Sequence, residues 1–292
     1  MSDTTLIGVD WGTTNLRVLR LGQGGCVLEA RTDPRGAGAL GQADFAPVLE
    51  DVCADWLDGD APVLVCGMAG ARGRWVEAPY VACPAEARQL ARMAVRAPGR
   101  RNVRLVPGVC LSAEGLGDVM RGEETLALGL AGPGQDATII APGTHSKWIS
   151  VQSGQISGFR TFMTGELFAA IREATILGRD MGAPGRNVDA FDAGVRRALS
   201  DPALSSALFS VRIRGLAGEL GPDEAADYLS GLLIGAEVAA TPPTGTVAVL
   251  VGDVGLCGRY ARAMVIAGFH PPRTTDAATA VARGLWRLWE AL

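Results

Sequence analysis

The chain has 292 residues, 48% hydrophobic and 20% charged, with a formal net charge of −4. That length is one large or two ordinary domains with enough apolar residue for a substantial core, and mixed, mildly acidic charge without a basic stripe argues against a nucleic-acid partner. Six cysteines (26, 53, 66, 83, 110 and 257) contain no Cys-x-x-Cys pair and only His145 and His270 accompany them, so the spacing argues against a structural zinc site, and most of the cysteines, which sit in apolar runs, read as small buried hydrophobes.

In chain order, an apolar strand over 6–9 meets an abrupt polar turn, Asp10-Trp11-Gly12-Thr13-Thr14-Asn15, and a second strand over 16–19. A third strand follows near 25–31. Residues 43–58 form a helix, because Phe45, Val48, Leu49, Val52, Cys53, Trp56 and Leu57 recur at three- and four-residue steps. Then come a strand over 62–66, the loop Gly67-Met68-Ala69-Gly70, a helix over 85–96, a strand over 103–106 and a helix over 122–130.

The pattern restarts at 137 with a buried strand, 137–141, the turn Pro142-Gly143-Thr144-His145-Ser146-Lys147, a strand over 148–151, a turn at Ser153-Gly154 and a strand to 160. Helices are expected over 164–174, 188–199, 203–213 and 223–240, a strand over 247–251, and helices over 258–267 and 276–290. Such alternation implies an α/β protein with helices packed on mixed sheets. The best break in composition is Ala131-Gly132-Pro133-Gly134. The beginning of the chain lacks a basic segment followed by an apolar one, and no stretch approaches about 18 uninterrupted apolar residues. The expectation is a cytoplasmic protein with no membrane partner.

Three turns concentrate the polar residues. At the first, the backbone N–H groups and hydroxyls of Gly12, Thr13, Thr14 and Asn15 can form an anion-binding concavity. Asp10 beside them can hold Mg²⁺, which keeps several waters and takes one or two carboxylates. The same residues also fit an ordinary β-hairpin turn. At the second turn, Gly143 and Thr144 offer phosphate donors and His145 and Lys147 offer positive charge, although a structural histidine and a solvated lysine fit as well. The third, Gly252-Asp253-Val254-Gly255, stands between a strand and a helix, where glycine lets backbone approach a ring or a phosphate. Its spacing is not that of a Rossmann fingerprint, and the chain has no P-loop.

These turns resemble the first phosphate, second phosphate and adenosine turns of the actin, hexokinase and chaperone ATPase superfamily. Within it, the chain is most similar to the 2-dehydro-3-deoxygalactonokinases. The resemblance rests on Gly67-Met68-Ala69-Gly70, Trp75-Val76-Glu77-Ala78-Pro79-Tyr80, Val119-Met120-Arg121-Gly122-Glu123-Glu124-Thr125, Pro142-Gly143-Thr144-His145-Ser146-Lys147-Trp148, Phe159-Arg160-Thr161-Phe162-Met163-Thr164-Gly165-Glu166-Leu167 and Ser230-Gly231-Leu232-Leu233-Ile234-Gly235-Ala236-Glu237. The strings run in family order over nearly the whole chain. One departure is Ala141-Pro142, where many superfamily members carry an aspartate, which leaves Asp10 as the candidate magnesium ligand.

The resemblance implies two ribonuclease-H-like domains of actin/hexokinase type with the active site in the interdomain cleft. Residues 1–132 would form the N-terminal domain, with the first phosphate turn and most sugar contacts. Residues 133–275 would form the C-terminal domain with the other two turns, and the last helix, 276–292, would pack back on the first. It implies ATP and Mg²⁺, with transfer of the γ-phosphate to the 6-hydroxyl of 2-dehydro-3-deoxy-D-galactonate. Such transfer needs a base for the hydroxyl proton. Superfamily precedent points to Glu124, then Glu123, then Asp118; the two glutamates fit equally as partners of a helix dipole. The substrate carboxylate calls for an arginine, with Arg17, Arg72 and Arg160 as candidates. Trp75, Thr164 and Glu166 are further candidate sugar contacts, and Gly252 and Asp253 candidate nucleotide contacts. The partner is a small-molecule sugar acid, with a homodimer left open. An exopolyphosphatase-type phosphohydrolase on the same scaffold and an actin-like nucleotide-binding module are the alternatives.

Overall fold

The structure, a computed structural model, describes residues 4–57, 61–99, 102–111, 117–182, 184–185, 187–201, 203–241 and 247–292. Position 58, the end of the helix expected over 43–58, lies outside them. In chain order the elements are β1 (Leu6–Trp11), β2 (Leu16–Leu21), β3 (Val27–Asp33), α1 (Phe45–Leu57), β4 (Val63–Gly67), β5 (Tyr80–Ala82), α2 (Ala87–Arg92), β6 (Val95–Arg96), β7 (Val103–Leu105), β8 (Gly108–Cys110), β9 (Val119–Met120) and α3 (Glu123–Leu130). They continue with β10 (Ala137–Ala141), β11 (Ser146–Gln152), β12 (Gln155–Phe162), α4 (Thr164–Ala174), α5 (Val188–Ser200), α6 (Leu204–Leu216), α7 (Pro222–Ala239), β13 (Val249–Val251), α8 (Val254–Ile266), β14 (Arg273–Thr275) and α9 (Ala277–Glu290).

The strands form a sheet of order β3-β2-β1-β4-β7-β6, a second of order β12-β11-β10-β13-β14, and a small third, β5-β8-β9. The chain divides into two compact units: Met1–Ile139 with Ile149–Arg160 and Asp276–Leu292, and Ile140–Trp148 with Thr161–Thr275. Among the described residues no helix is long and apolar enough to cross a membrane.

In the first unit β1 pairs antiparallel with β2 and parallel with β4. Its Leu6-Ile7-Gly8-Val9 run is fully buried, the composition a central strand covered on both faces requires. The core on one face includes Trp11, Phe45 and Trp75, with Phe45 stacked on Trp75 at 5.9 Å and edge-on to Trp11 at 4.9 Å. Helices α3 and α9 cross so closely that a Cβ at Gly284 would collide with the Thr125 carbonyl, and one at Gly129 with that of Ala280.

The structure shortens one expected helix and adds three short strands that periodicity does not indicate. The helix expected over 85–96 ends at Arg92, because Val95 and Arg96 pair antiparallel with β7. The segments that become β5, β8 and β9 are only two or three residues long, too short to display a period.

In the second unit α7 is buried nearly all round, from Ala225 to Val238, as a central helix must be. Helix α5 reaches it through glycine: a Cβ at Gly231 would collide with the Phe191 carbonyl. Helix α8 starts at Val254, earlier than periodicity indicates, because Asp253 caps it by accepting the Leu256 N–H at 2.8 Å.

Candidate active site

The register of the first sheet brings the end of β1 against the end of β4. Asp10 lies opposite Arg17 on β2 and opposite Cys66 on β4. Its Oδ2 stands 3.8 Å from Arg17 Nη1, and its Oδ1 takes a long contact of 4.0 Å from the Cys66 thiol. Burial and the nearby Glu123 raise the Asp10 pKa, against the lowering pull of Arg17. The Cys66 thiol is pushed well up, first by burial and then by Asp10 and Glu124. Asp276, the capping residue of α9, is lowered first by the Thr279 N–H it accepts at 2.7 Å, with Arg17 the least of the contributions.

The turn into α3 supplies the second carboxylate. Gly122 has φ +109, and a Cβ there would lie 3.4 Å from the Gly67 Cα, so β4 and the helix start approach backbone to backbone. The Gly122 N–H donates to Glu124 Oε2 at 2.6 Å, and the Thr125 hydroxyl donates to Oε1 at 2.9 Å. Glu124 is fully buried. Its pKa rises to about 7, driven by burial and then by Glu123, against hydrogen bonds from the backbone and from Thr125. A buried carboxyl balanced near neutrality can take a proton from an alcohol.

The first turn is braced from below: Ala37 and Gly38 N–H groups donate to the Gly12 and Thr13 carbonyls at 2.9 and 2.8 Å. Thr13, Thr14 and Asn15 remain exposed, with Asn15 Nδ2 donating to Thr14 Oγ1 at 3.2 Å.

In the second unit, Gly143 to Lys147 form the corresponding turn into β11. A Cβ at Gly143 would meet nothing within 4 Å, so its backbone is open to a ligand. The Thr144 carbonyl accepts the Glu166 N–H at 3.0 Å, and His145 Nε2 pairs with Glu166 Oε2, joining turn and α4. Lys147 is buried, and its Nζ donates to the His145 carbonyl at 2.9 Å. Gly143, Thr164, Gly165, Ser230, Asp253, Gly255, Arg259 and Tyr260 line a cavity of about 380 Å³. Beside it, sharing Gly255 and Arg259, lies another of about 470 Å³ lined by Asn187, Phe191 and Arg262.

The expected sugar contacts differ in burial and in partners. Trp75 is 3% exposed and packed in the core, with no face open to a ligand, because Phe45 and Trp11 cover its ring. Arg72 is highly exposed and paired with Glu77 at 3.3 Å. Arg160 is exposed, and Asp118 accepts the N–H of Val119 at 2.8 Å. The Thr164 hydroxyl is committed to Glu237. Asp253 lines the cavity as a helix cap, and Gly252 has φ +148.

Three residues with no assigned role in the sequence hold notable positions: in the first unit Cys66, which contacts Asp10 and feels the charge of Glu124, and Arg121; in the second unit Glu237. Arg121 is buried, with its guanidinium 4.4 Å from the Tyr80 ring centre and Nη2 donating to the Ala78 carbonyl at 2.8 Å; Nε and Nη1 have no hydrogen-bond partner among the described residues. All three fall within apolar runs or motif strings, where periodicity attaches no role to a single side chain.

The architecture is that of the actin/hexokinase class. It is shared with the activator of 2-hydroxyisocaproyl-CoA dehydratase from Clostridium difficile, solved with bound ADPNP, at TM-score 0.50 and 16% identity over 98% of this chain and 95% of that one. The family model for 2-keto-3-deoxy-galactonokinase matches residues 10–288, and the chain belongs to that family. It is 38% identical over 234 residues, 80% of this chain and 79% of the relative, to the 2-dehydro-3-deoxygalactonokinase of Escherichia coli (strain K12). A solved Sinorhizobium meliloti protein described as a candidate 2-dehydro-3-deoxygalactonokinase superposes with TM-score 0.88 at 37% identity, covering 98% of both chains.

Proposed function

We propose that this chain is an ATP-dependent sugar-acid kinase that phosphorylates 2-dehydro-3-deoxy-D-galactonate on its 6-hydroxyl. Family membership supports the substrate class. The observation that carries the chemistry is Glu124, a fully buried carboxyl with a pKa of about 7 at a helix start, suited to accept the hydroxyl proton as the phosphoryl group arrives. Glu123 acts on it electrostatically. The open backbone at Gly143 and the exposed hydroxyls of Thr13, Thr14 and Thr144 suit phosphate oxygens. The cavity lined by Gly255, Arg259 and Tyr260, with the adjoining space beside Phe191, suits the nucleoside.

Among the described residues no group of three or more His, Cys, Asp or Glu side chains is placed to hold a metal ion. Mg²⁺ needs no such group, since one carboxylate, waters and substrate phosphates satisfy it. Asp10 fits that role: it is a hard oxygen donor whose charge burial disfavours, and a divalent cation would stabilise that charge. Bound there, Mg²⁺ would neutralise phosphate charge. Arg17, beside Asp10, is the candidate for the substrate carboxylate. ATP and Mg²⁺ are the currency of the cytoplasm, where the enzyme would work.

The test is a coupled ADP-release assay over a panel of 2-keto-3-deoxy sugar acids. Sugar-dependent ADP release, greatest with 2-dehydro-3-deoxygalactonate, is the expected result. Absence of any sugar dependence overturns the kinase reading, and hydrolysis of ATP or polyphosphate without sugar replaces it with a phosphohydrolase.

A further inference from the structure

Glu237 lies near the end of α7 and is 2% exposed. Its Oε1 accepts from the Ser146 hydroxyl at 2.7 Å and from Trp148 Nε1 at 2.6 Å, both on β11. Its Oε2 accepts from the Tyr260 hydroxyl at 2.7 Å, on α8, and from the Thr164 hydroxyl, at the first position of α4. One oxygen therefore ties α7 to the strand that follows the Gly143 turn, and the other ties it to two helices that wall the cavity. Thr164 and Tyr260 line that cavity, as do Leu233 and Ile234 one turn before Glu237. Ser146 and Trp148 do not.

Burying a carboxylate costs several kcal/mol unless its lone pairs are met. Here all the partners are neutral donors, and each belongs to an element that forms the cavity or leads into it. A fully satisfied buried network of this kind fixes geometry.

We propose that Glu237 is a positioning residue for nucleotide binding, setting the spacing of β11, α4, α7 and α8 around the cavity without itself touching the ligand. The proposal rests on the reading of that cavity as the nucleotide pocket. Glu237→Gln probes it with little change in volume. The Trp148 Nε1–H can only donate, so the amide oxygen must face Trp148 and Ser146. The NH₂ then faces Thr164 and Tyr260, whose hydrogen bonds must reverse. The disturbance is directed at the two helices that contact the ligand.

Isothermal titration with ADP, alongside steady-state kinetics and circular dichroism, tests this. Glu237→Gln is expected to keep the native spectrum and weaken ADP binding about tenfold, the loss of roughly one charge-assisted hydrogen bond, while the KM for the sugar acid stays within twofold or so of wild type. Ser146→Ala, which removes one donor outside the cavity, is expected to weaken ADP binding in the same direction by a smaller factor. A folded Glu237→Gln protein with wild-type ADP affinity overturns the proposal, even if it melts earlier. Should that variant fail to fold, unchanged ADP affinity in Ser146→Ala overturns it instead. Wild-type protein that binds no ADP would sink the nucleotide-pocket reading itself, an outcome visible before any variant is made.

Discussion

Glu124 pairs a task with a cost. Burial and the neighbouring Glu123 hold its proton up to about pH 7, so the base is half-ionised at neutrality. The rate of phosphoryl transfer should rise with pH along a limb centred near that value. Glu124→Gln should lose the limb and reduce kcat by about 10²- to 10⁴-fold, the usual worth of a positioned base; a variant within about threefold of wild type would remove Glu124 from the chemistry. Stability should move the other way. The unfolded carboxyl ionises around its ordinary 4.5 while the folded one holds its proton to about 7, so stability falls as pH rises across that window. Glu124→Gln escapes this penalty and should melt higher than wild type at about pH 8, by up to roughly 3 kcal/mol less the hydrogen bonds the amide forfeits, with no advantage below about pH 4.5. Asp10→Asn makes a separate prediction: an amide oxygen is a weaker ligand for a hard cation, so the Mg²⁺ concentration for half-maximal rate should rise about tenfold or more. The sequence pointed to Asp10 through the polar turn that closes an apolar run, and to Glu124 only through the family resemblance at a helix start. It could not separate Glu124 from Glu123, since adjacent helix positions point in different directions and only the packed structure shows which is buried. Trp75 shows the converse. The family resemblance made it a candidate sugar contact, but its ring packs against Phe45 and Trp11 in the core.

Long periodic elements were legible from sequence, and α4, α5 and α7 lie within a few residues of where their apolar spacing puts them. Elements stabilised by distant partners were not. The β6 pair forms against β7, and β5, β8 and β9 make a sheet whose strands carry almost no local signal. That small sheet matters, because β9 runs directly into Arg121 and Gly122 and so delivers the start of α3. Gly122 is the hinge of this delivery: with φ +109 it holds a conformation that an L side chain rarely adopts. Gly122→Ala should therefore cost about 1–2 kcal/mol in denaturant unfolding. The helix start would shift, carrying Glu124 and its hydrogen bond from Gly122 N–H with it. A displacement below an ångström is enough to reduce kcat about tenfold or more with a smaller change in KM. An unchanged kcat in a protein of unchanged stability would show that the turn tolerates a side chain and that its geometry does not govern the base.

At the scale of the whole molecule, what the sequence conveyed best was the class of fold. Polar turns after buried strands come twice, at Asp10–Asn15 and Gly143–Lys147, because a strand that must be apolar along its length can present polar backbone only where it ends. What it conveyed least was the coupling of distant side chains: Ser146, Thr164, Glu237 and Tyr260 are scattered over more than a hundred positions yet converge on one carboxylate. That distribution makes a prediction about ligand response. Among the described residues, those lining the cavity assigned to the nucleotide all belong to the second unit, drawn from the Gly143 turn, α4, the segment before α5, α7 and α8. A ligand that binds only the native state stabilises it by about 2.7 kcal/mol at a hundred times its Kd. Local opening is suppressed most where the contacts are made. Hydrogen exchange with and without ADP should therefore slow at Thr164–Ala174, Pro222–Ala239 and Val254–Ile266. Phe45–Leu57, which lines no part of that cavity, should exchange at an unaltered rate. Protection at α1 with none at α7 and α8 would place the nucleotide elsewhere and remove the cavity from the account, whereas protection at α4, α7 and α8 without protection at α1 ties adenine nucleotide to the helices that Glu237 holds together.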